Sequence, residues 1–190
     1  MVTKSMTQGD KSVVYNVVVV FGDTNLTKSM QRAAEAIGFK GVSYVALGPP
    51  REQDAIHGVL LSKFFDIQDV IMATPPTMST VENVRILDNI LHTYTQKITY
   101  DLKEGEKATT AKVLVVSHEG HAKRLASTYL REEREGIKIS YHSIPDTLWG
   151  KLEHGILRTF IDPFISKGDN KYVSAIAKGR EKVKGSIEKE

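Results

Sequence analysis

Two histidines, a serine and an arginine lie within eight residues of one another, directly after a short apolar segment. Residues 113–116 are all apolar, and Ser117, His118, His121 and Arg124 follow them. Histidine and serine can exchange protons or attack an electrophilic centre, and arginine binds phosphate and carboxylate groups. The pattern therefore indicates a ligand-binding site, with His118, His121 and Ser117 as candidate catalytic residues.

Four interpretations of this segment differ in chemistry. Ser117 and a histidine can form a nucleophile and its base, although the sequence lacks the G-x-S-x-G turn that exposes such a serine. The two histidines can bind a metal if Asp23 or His57 completes the ligands, but they are three residues apart and those of zincins are four. They can also be solvated turn residues. We favour the fourth interpretation, in which His121 and Arg124 bind an anionic ligand, and we predict no metal.

Small or polar residues also follow three other apolar segments. Ser79 or Thr80 can cap a helix, and Glu82 is three residues after Ser79, as in a capping box. Such a helix is either simply well capped or offers its first amides to an anion, with Asn83 one turn further on. The first predicted helix contains Arg32, which either extends along the helix surface or supports the pocket. The remaining candidates at these segment ends are Gly22, Asp23 and Gly48.

The elements that would position these residues alternate along the chain. Runs of β-branched residues predict strands, and apolar residues at a spacing of about 3.6 predict helices. The stretch 94–110 has no clear period and is predicted to be a surface excursion. The predicted strands are 13–21, 42–47, 70–73, 113–116 and 137–142, and the predicted helices are 26–37, 52–65, 81–91, one beginning near 121 and one beginning near 145.

This alternation predicts a three-layer, Rossmann-like α/β fold. We expect a mostly parallel sheet of about five strands with helices on both faces. Polar residues at the strand ends would then meet at the carboxyl edge of the sheet, where such folds bind ligands. The predicted organisation is a flexible leader at 1–12, one domain at 13–165, and a basic helix or tail at 166–190.

Composition narrows the functional classes. The chain has no cysteine, which excludes disulfides, thiolate nucleophiles and cysteine-based metal sites. The apolar run 17–21 is too short for a signal peptide or a membrane span, so we expect a cytoplasmic protein without a membrane partner. The net charge of +3 is too small to indicate nucleic acid. Apolar residues on the last helices are compatible with a homodimer.

The order of these motifs resembles that of the DUF218 family of YdcF/SanA-like proteins. The similar segments are a strand that ends in glycine, an arginine on the first helix, a strand that ends in a glycine loop, an S/T-x-T-x-E-N segment and a strand followed by a His-x-x-Arg turn. In this chain they are VVVVFGD at 17–23, Arg32, Leu47–Gly48, MSTVENV at 78–84 and VVSHEGHAKRLA at 115–126. The resemblance covers about residues 13–145.

The resemblance implies a Rossmann-like protein that binds a small anionic or nucleotide-like ligand, with S-adenosylmethionine or a nucleotide as the candidate cofactor. An alternative is a phosphate- or ester-bond hydrolase, with or without a metal. Carried over by position, the resemblance places the ligand among Gly22, Asp23, Arg32, Gly48, Ser79, Thr80, Glu82, Asn83, His121 and Arg124.

Overall fold

A computed structural model describes most of the chain as one α/β sheet with its helices. The described residues are 7–23, 25–63, 70–76, 80–100, 110–126, 133–134, 136–148, 151–152, 156 and 159. The elements are β1 (Val14–Phe21), α1 (Leu26–Ala36), β2 (Lys40–Leu47), α2 (Pro50–Leu61), β3 (Val70–Met72), α3 (Thr80–Tyr100), β4 (Ala111–His118), α4 (Glu119–Arg124), β5 (Glu133–Arg134) and β6 (Ile137–Ile144).

The six strands form one sheet in the order β3-β2-β1-β4-β6-β5. Each pair among the first five strands in this order is parallel, and only the two-residue β5 is antiparallel to its neighbour β6. The predicted Rossmann-like α/β class, with about five mostly parallel strands, is therefore confirmed. The valine-rich centre of β1 explains its place in the middle of the sheet, because residues 17–20 are at most 1% exposed on either face.

Two hydrophobic clusters cover the two faces of the sheet. One contains Val84 and Leu87 of α3 and Ala122 of α4, packed on alternate residues of the strands. The other contains Ala33 of α1 and Ile56 of α2, packed on the intervening residues. The side with α1 and α2 is called the first face below, and the side with α3 and α4 the second face. This arrangement confirms the three predicted layers.

Two local expectations change. Helix α3 continues to Tyr100, so the predicted excursion is wrong for residues 94–100, while 101–109 lie outside the described residues. No glycine or proline interrupts the sequence between Thr80 and Tyr100, and the Thr93 hydroxyl donates to the Asn89 carbonyl within the helix at 3.0 Å. Strand β5 is not predicted from the sequence, because a strand of two residues is too short to show an alternation of apolar and polar residues.

The ends of the chain are described only in part. The amide of Gly9 donates to the carbonyl of Tyr141, and the amide of Tyr141 donates to the carbonyl of Thr7, both at 2.9 Å. These residues of the predicted leader therefore pair with β6. Residues 1–6 and the predicted tail at 166–190 lie outside the described residues, as does most of the helix predicted from Pro145.

Candidate functional site

The strand order reverses direction between β1 and β4. From β1 the chain proceeds outward through β2 to β3, whereas β4 is placed on the other side of β1 and leads to β6. In open α/β sheets this reversal leaves a crevice outside the carboxyl ends of the two central strands, and ligands bind there. The end of β1 supplies Phe21, Gly22 and Asp23, and the end of β4 supplies Ser117 and His118.

Close backbone packing fixes the loop that leaves β1. The Gly22 amide donates to the Leu47 carbonyl at 2.5 Å, and Gly48 has a φ of +142°. A Cβ atom on Gly48 would lie 2.9 Å from the Cα of Gly22, and one on Gly22 would lie 2.9 Å from the Leu47 carbonyl oxygen. The two predicted glycines therefore bring the ends of β1 and β2 together, a role that a side chain would prevent.

Arg32 joins the ends of β1 and β4. Its side chain is completely buried, and its Nε donates to Nδ1 of His118 at 2.8 Å. One terminal nitrogen donates to the carbonyls of Phe21 at 2.6 Å and Gly22 at 3.0 Å, and the other donates to Oδ2 of Asp23 at 2.6 Å. The planar guanidinium suits this fork of four acceptors. Arg32 thus supports the ends of β1 and β4, and its contacts position Asp23 and His118.

Arg32 also fixes the protonation of His118. A guanidinium cannot accept a hydrogen bond, so Nδ1 of His118 must carry no proton. Burial, followed by the charge of Arg32, lowers the pKa of His118 to about 4, although Asp146 and Asp23 act in the opposite direction. At neutral pH the ring is therefore uncharged and carries its proton on Nε2. Such an imidazole can donate a hydrogen bond to a ligand, but it is a poor base.

Asp23 stays ionised beside this histidine. Burial by itself would raise the pKa of Asp23, but the Arg32 guanidinium, together with Lys28 and the amide of Asn25, lowers it below its usual value of 3.8. The side chain is 18% exposed. Asn25 caps α1 by accepting from the amide of Lys28. Asp23 is thus a carboxylate held at the edge of the crevice.

Ser117 and His121 form a separate pair on the second face. Ser117 Oγ lies 2.9 Å from Nδ1 of His121, and the serine is fully buried. The His121 ring packs edge-on against Phe21, with 5.5 Å between ring centroids. Because successive strand residues point to opposite faces, Ser117 lies on the second face and His118 on the first. The predicted histidines therefore do not face one site.

The separation of the two histidines also changes the metal interpretation. His118 Nδ1 accepts from Arg32, and His121 Nδ1 is hydrogen-bonded to Ser117. Within the described part of the chain, no three histidine, aspartate or glutamate residues lie close enough together to hold a metal ion. The described structure therefore does not bring the two histidines together as ligands of one metal ion.

Asp146 belongs to this edge of the sheet but was missed as a site residue. It is two residues beyond β6, the neighbour of β4, and is 9% exposed. Its Oδ2 accepts from the amide of Gly120 at 2.5 Å, at the beginning of α4. Its charge acts on both Arg32 and His118. The only sequence signal is an acidic residue four positions after the predicted strand 137–142, at the predicted start of a helix.

The other predicted site residues that the structure describes lie in α3 and α4. Thr80 is the first residue of α3, Glu82 has an exposed side chain and Asn83 is 5% exposed. Arg124 ends α4 and is 6% exposed. Ser79 and its capping box lie outside the described residues.

Comparisons of the chain with protein-family models, with curated proteins and with solved structures found no match. Among the helices of the described segments, none has the length and apolar character needed to cross a bilayer.

Proposed function

We propose that the crevice between the ends of β1 and β4 binds a small nucleotide-like ligand. The observation that carries the proposal is the buried Arg32, which makes four hydrogen bonds at the reversal of strand order. A buried arginine is costly unless its donors are satisfied, and here they hold one carboxylate and one histidine at the mouth of the crevice. Such preorganisation is typical of ligand sites.

The two held side chains have complementary roles in this proposal. The ionised Asp23 accepts hydrogen bonds from ligand hydroxyl groups, as acidic residues do for ribose in many Rossmann-like sites. The neutral His118 donates from Nε2 to an oxygen or nitrogen of the ligand. Arg32 positions both of them and makes its own contacts within the protein.

S-adenosylmethionine is our first candidate, because it carries a ribose and a purine and the resemblance to the DUF218 family implies it. Membership of that family is part of this proposal, as is binding without a metal. The predicted cytoplasmic location and homodimer stay predictions.

Thermal unfolding with candidate ligands tests the proposal. S-adenosylmethionine, adenosine, AMP and inorganic phosphate are each added to the full-length protein. A ligand at 100 times its dissociation constant stabilises the folded state by about 2.7 kcal/mol, and about 2–4 °C of melting temperature corresponds to each kcal/mol. We expect a shift with S-adenosylmethionine or adenosine that Asp23→Asn reduces and Asp54→Asn, on the exposed side of α2, leaves unchanged. No shift with any of the four would overturn the proposal.

A second candidate function is hydrolysis of an ester or phosphate bond. The 2.9 Å contact of Ser117 Oγ with His121 Nδ1 favours it, since His121 can take the serine proton during attack. The full burial of Ser117 makes this function the weaker candidate. It predicts turnover of p-nitrophenyl acetate or phosphate that Ser117→Ala abolishes, and a lack of turnover in the wild type would exclude these substrate types.

A further inference from the structure

Asp146 has one carboxylate oxygen without a donor. Its Oδ2 is bonded to the Gly120 amide, whereas Oδ1 is buried and has no hydrogen-bond partner among the residues that the structure describes. Buried polar atoms in native proteins almost always have a partner, and an unpaired carboxylate oxygen is especially unfavourable. The position of Oδ1 therefore calls for an O–H or N–H group that the described residues do not supply.

Asp146 lies at the same edge of the sheet as the proposed ligand. It follows β6, which pairs with β4 as far as the register pair His118–Ile144. The charge of Asp146 acts on both Arg32 and His118, so all three groups share one electrostatic environment. A ligand bound over His118 would lie next to Asp146.

The charges at this place disfavour a phosphate group. Arg32 is the buried cation that joins the ends of β1 and β4, and the carboxylates of Asp23 and Asp146 both act on it. Glu52 is a further buried carboxylate, in the first turn of α2 near Gly22. His118 is neutral and adds no positive charge, and the donors of Arg32 are already bonded to protein groups. A phosphate dianion would be repelled and has no proton to give, whereas a hydroxyl group is neutral and can donate.

We infer that Asp146 determines ligand specificity in the crevice, where its buried Oδ1 accepts a hydrogen bond from a ribose hydroxyl group. The inference rests on the proposed function and narrows it from nucleotide-like ligands to ligands that place a ribose, and not a phosphate, between Asp23 and Asp146. The Gly120 amide, which could otherwise bind an anion, is already occupied by Asp146.

Calorimetric titration of the full-length protein with four probes tests this inference. The probes are adenosine, 2′-deoxyadenosine, 3′-deoxyadenosine and inorganic phosphate. We expect adenosine to bind, one deoxynucleoside to bind about tenfold more weakly, and phosphate not to bind. Asp146→Asn replaces the acceptor by an amide and removes its charge. We therefore expect it to weaken adenosine about tenfold and to make binding insensitive to the same hydroxyl.

The outcomes separate the inference from the proposed function. If adenosine binds and neither deoxynucleoside is weaker, or if Asp146→Asn stays as sensitive to the missing hydroxyl as the wild type, the inference is overturned and the proposed function stands. The inference is likewise overturned, with the proposed function standing, if phosphate binds more tightly than adenosine and Asp23→Asn, which removes a repelling charge, strengthens its binding. If neither these probes nor S-adenosylmethionine bind the wild type, both fall. The deoxynucleoside comparison needs no variant, so a folding defect cannot obscure it, and Asp54→Asn is the matched control.

Discussion

Ser117 and His118 are adjacent in β4, yet their side chains belong to clusters of different chemistry on opposite faces of the sheet. On the first face, His118 joins a charged network with Arg32 and Asp23 that connects the ends of β1 and β4. On the second face, Ser117 pairs with His121, only four residues away, through one hydrogen bond. Phe21 contributes to both clusters, through its carbonyl on the first face and its ring on the second.

This difference separates a long-range connection from a local one. The first-face network links residues 86 positions apart, so it can form only when the sheet is assembled. The second-face pair needs little more than the turn between β4 and α4. Charged groups that are fixed by the whole fold are the better candidates for a ligand site, because folding has already met the cost of orienting them.

Removing Arg32 is expected to have the largest effect. Arg32→Met leaves two carbonyls, the His118 ring and the Asp23 carboxylate without their donor. Losing one partner of a buried ion pair costs about 3–5 kcal/mol of the free energy of unfolding. Urea unfolding at neutral pH measures the cost. Arg85→Met, on the exposed side of α3, is the control and should change stability by about 0.5 kcal/mol or less. Similar small changes in both variants would mean that the first-face network contributes little.

The pH dependence of stability should report that His118 is held neutral in the folded protein. The pKa of His118 is about 4 in the folded protein against a usual value of 6.5. As the pH falls from 6.5 to 4, the unfolded chain binds more protons, and the free energy of unfolding decreases by about 1–3 kcal/mol in total, because solvent screens part of the effect. Below that range both states are protonated at His118, and this contribution becomes flat.

The variant His118→Asn isolates this contribution. Its amide oxygen can still accept from Arg32, but it does not titrate. The difference in unfolding free energy between wild type and variant should therefore vary with pH across this range. Parallel curves for wild type and His118→Asn would show that His118 is not held neutral.

The stability of the protein should be sensitive to substitution of Gly48, because its backbone packs against Gly22 at the end of β1. Gly48→Ala places a Cβ against Gly22 at a positive φ, so we expect a loss of about 1–3 kcal/mol. Gly58→Ala is the matched control, because a Cβ there meets nothing within 4 Å in the middle of α2. Replacing this helical glycine by alanine should stabilise the protein by about 0.4–1 kcal/mol, because it reduces the conformational entropy of the unfolded chain. Equal changes in stability for Gly48→Ala and Gly58→Ala would mean that the contact between the ends of β1 and β2 tolerates a side chain at Gly48.

The sequence predicted the fold well because its signals are local. The runs of valine in β1 and β4 indicated strands buried on both faces, and the spacing of Val84, Leu87 and Leu91 indicated α3. The end of α3 was missed because its polar last turns have no apolar stripe, and only the absence of glycine or proline indicated that the helix continues.

The site was predicted less completely, for a physical reason. The alternation of β4 side chains was sufficient to place Ser117 and His118 on opposite faces, but we treated them as one cluster. The contacts of Arg32 with His118, and of Asp146 with Gly120, join segments 86 and 26 residues apart, and no local pattern encodes them. The sequence could show that these polar groups reach the same edge of the sheet, but not which of them bond to each other.

Ser117→Ala is expected to have the smallest effect on stability. It removes one hydrogen bond from the second face, worth about 1 kcal/mol, and leaves Nδ1 of His121 without its serine partner. The first-face network should be unchanged, so nuclear magnetic resonance should find His118 neutral at pH 6 in this variant as in the wild type, and binding of adenosine should persist. Thr93→Ala, at an exposed hydroxyl that bonds within α3, is the matched control for loss of one hydrogen bond. A loss of adenosine binding in Ser117→Ala alone would mean that the ligand occupies the second face, and the roles assigned to the two clusters would have to be exchanged.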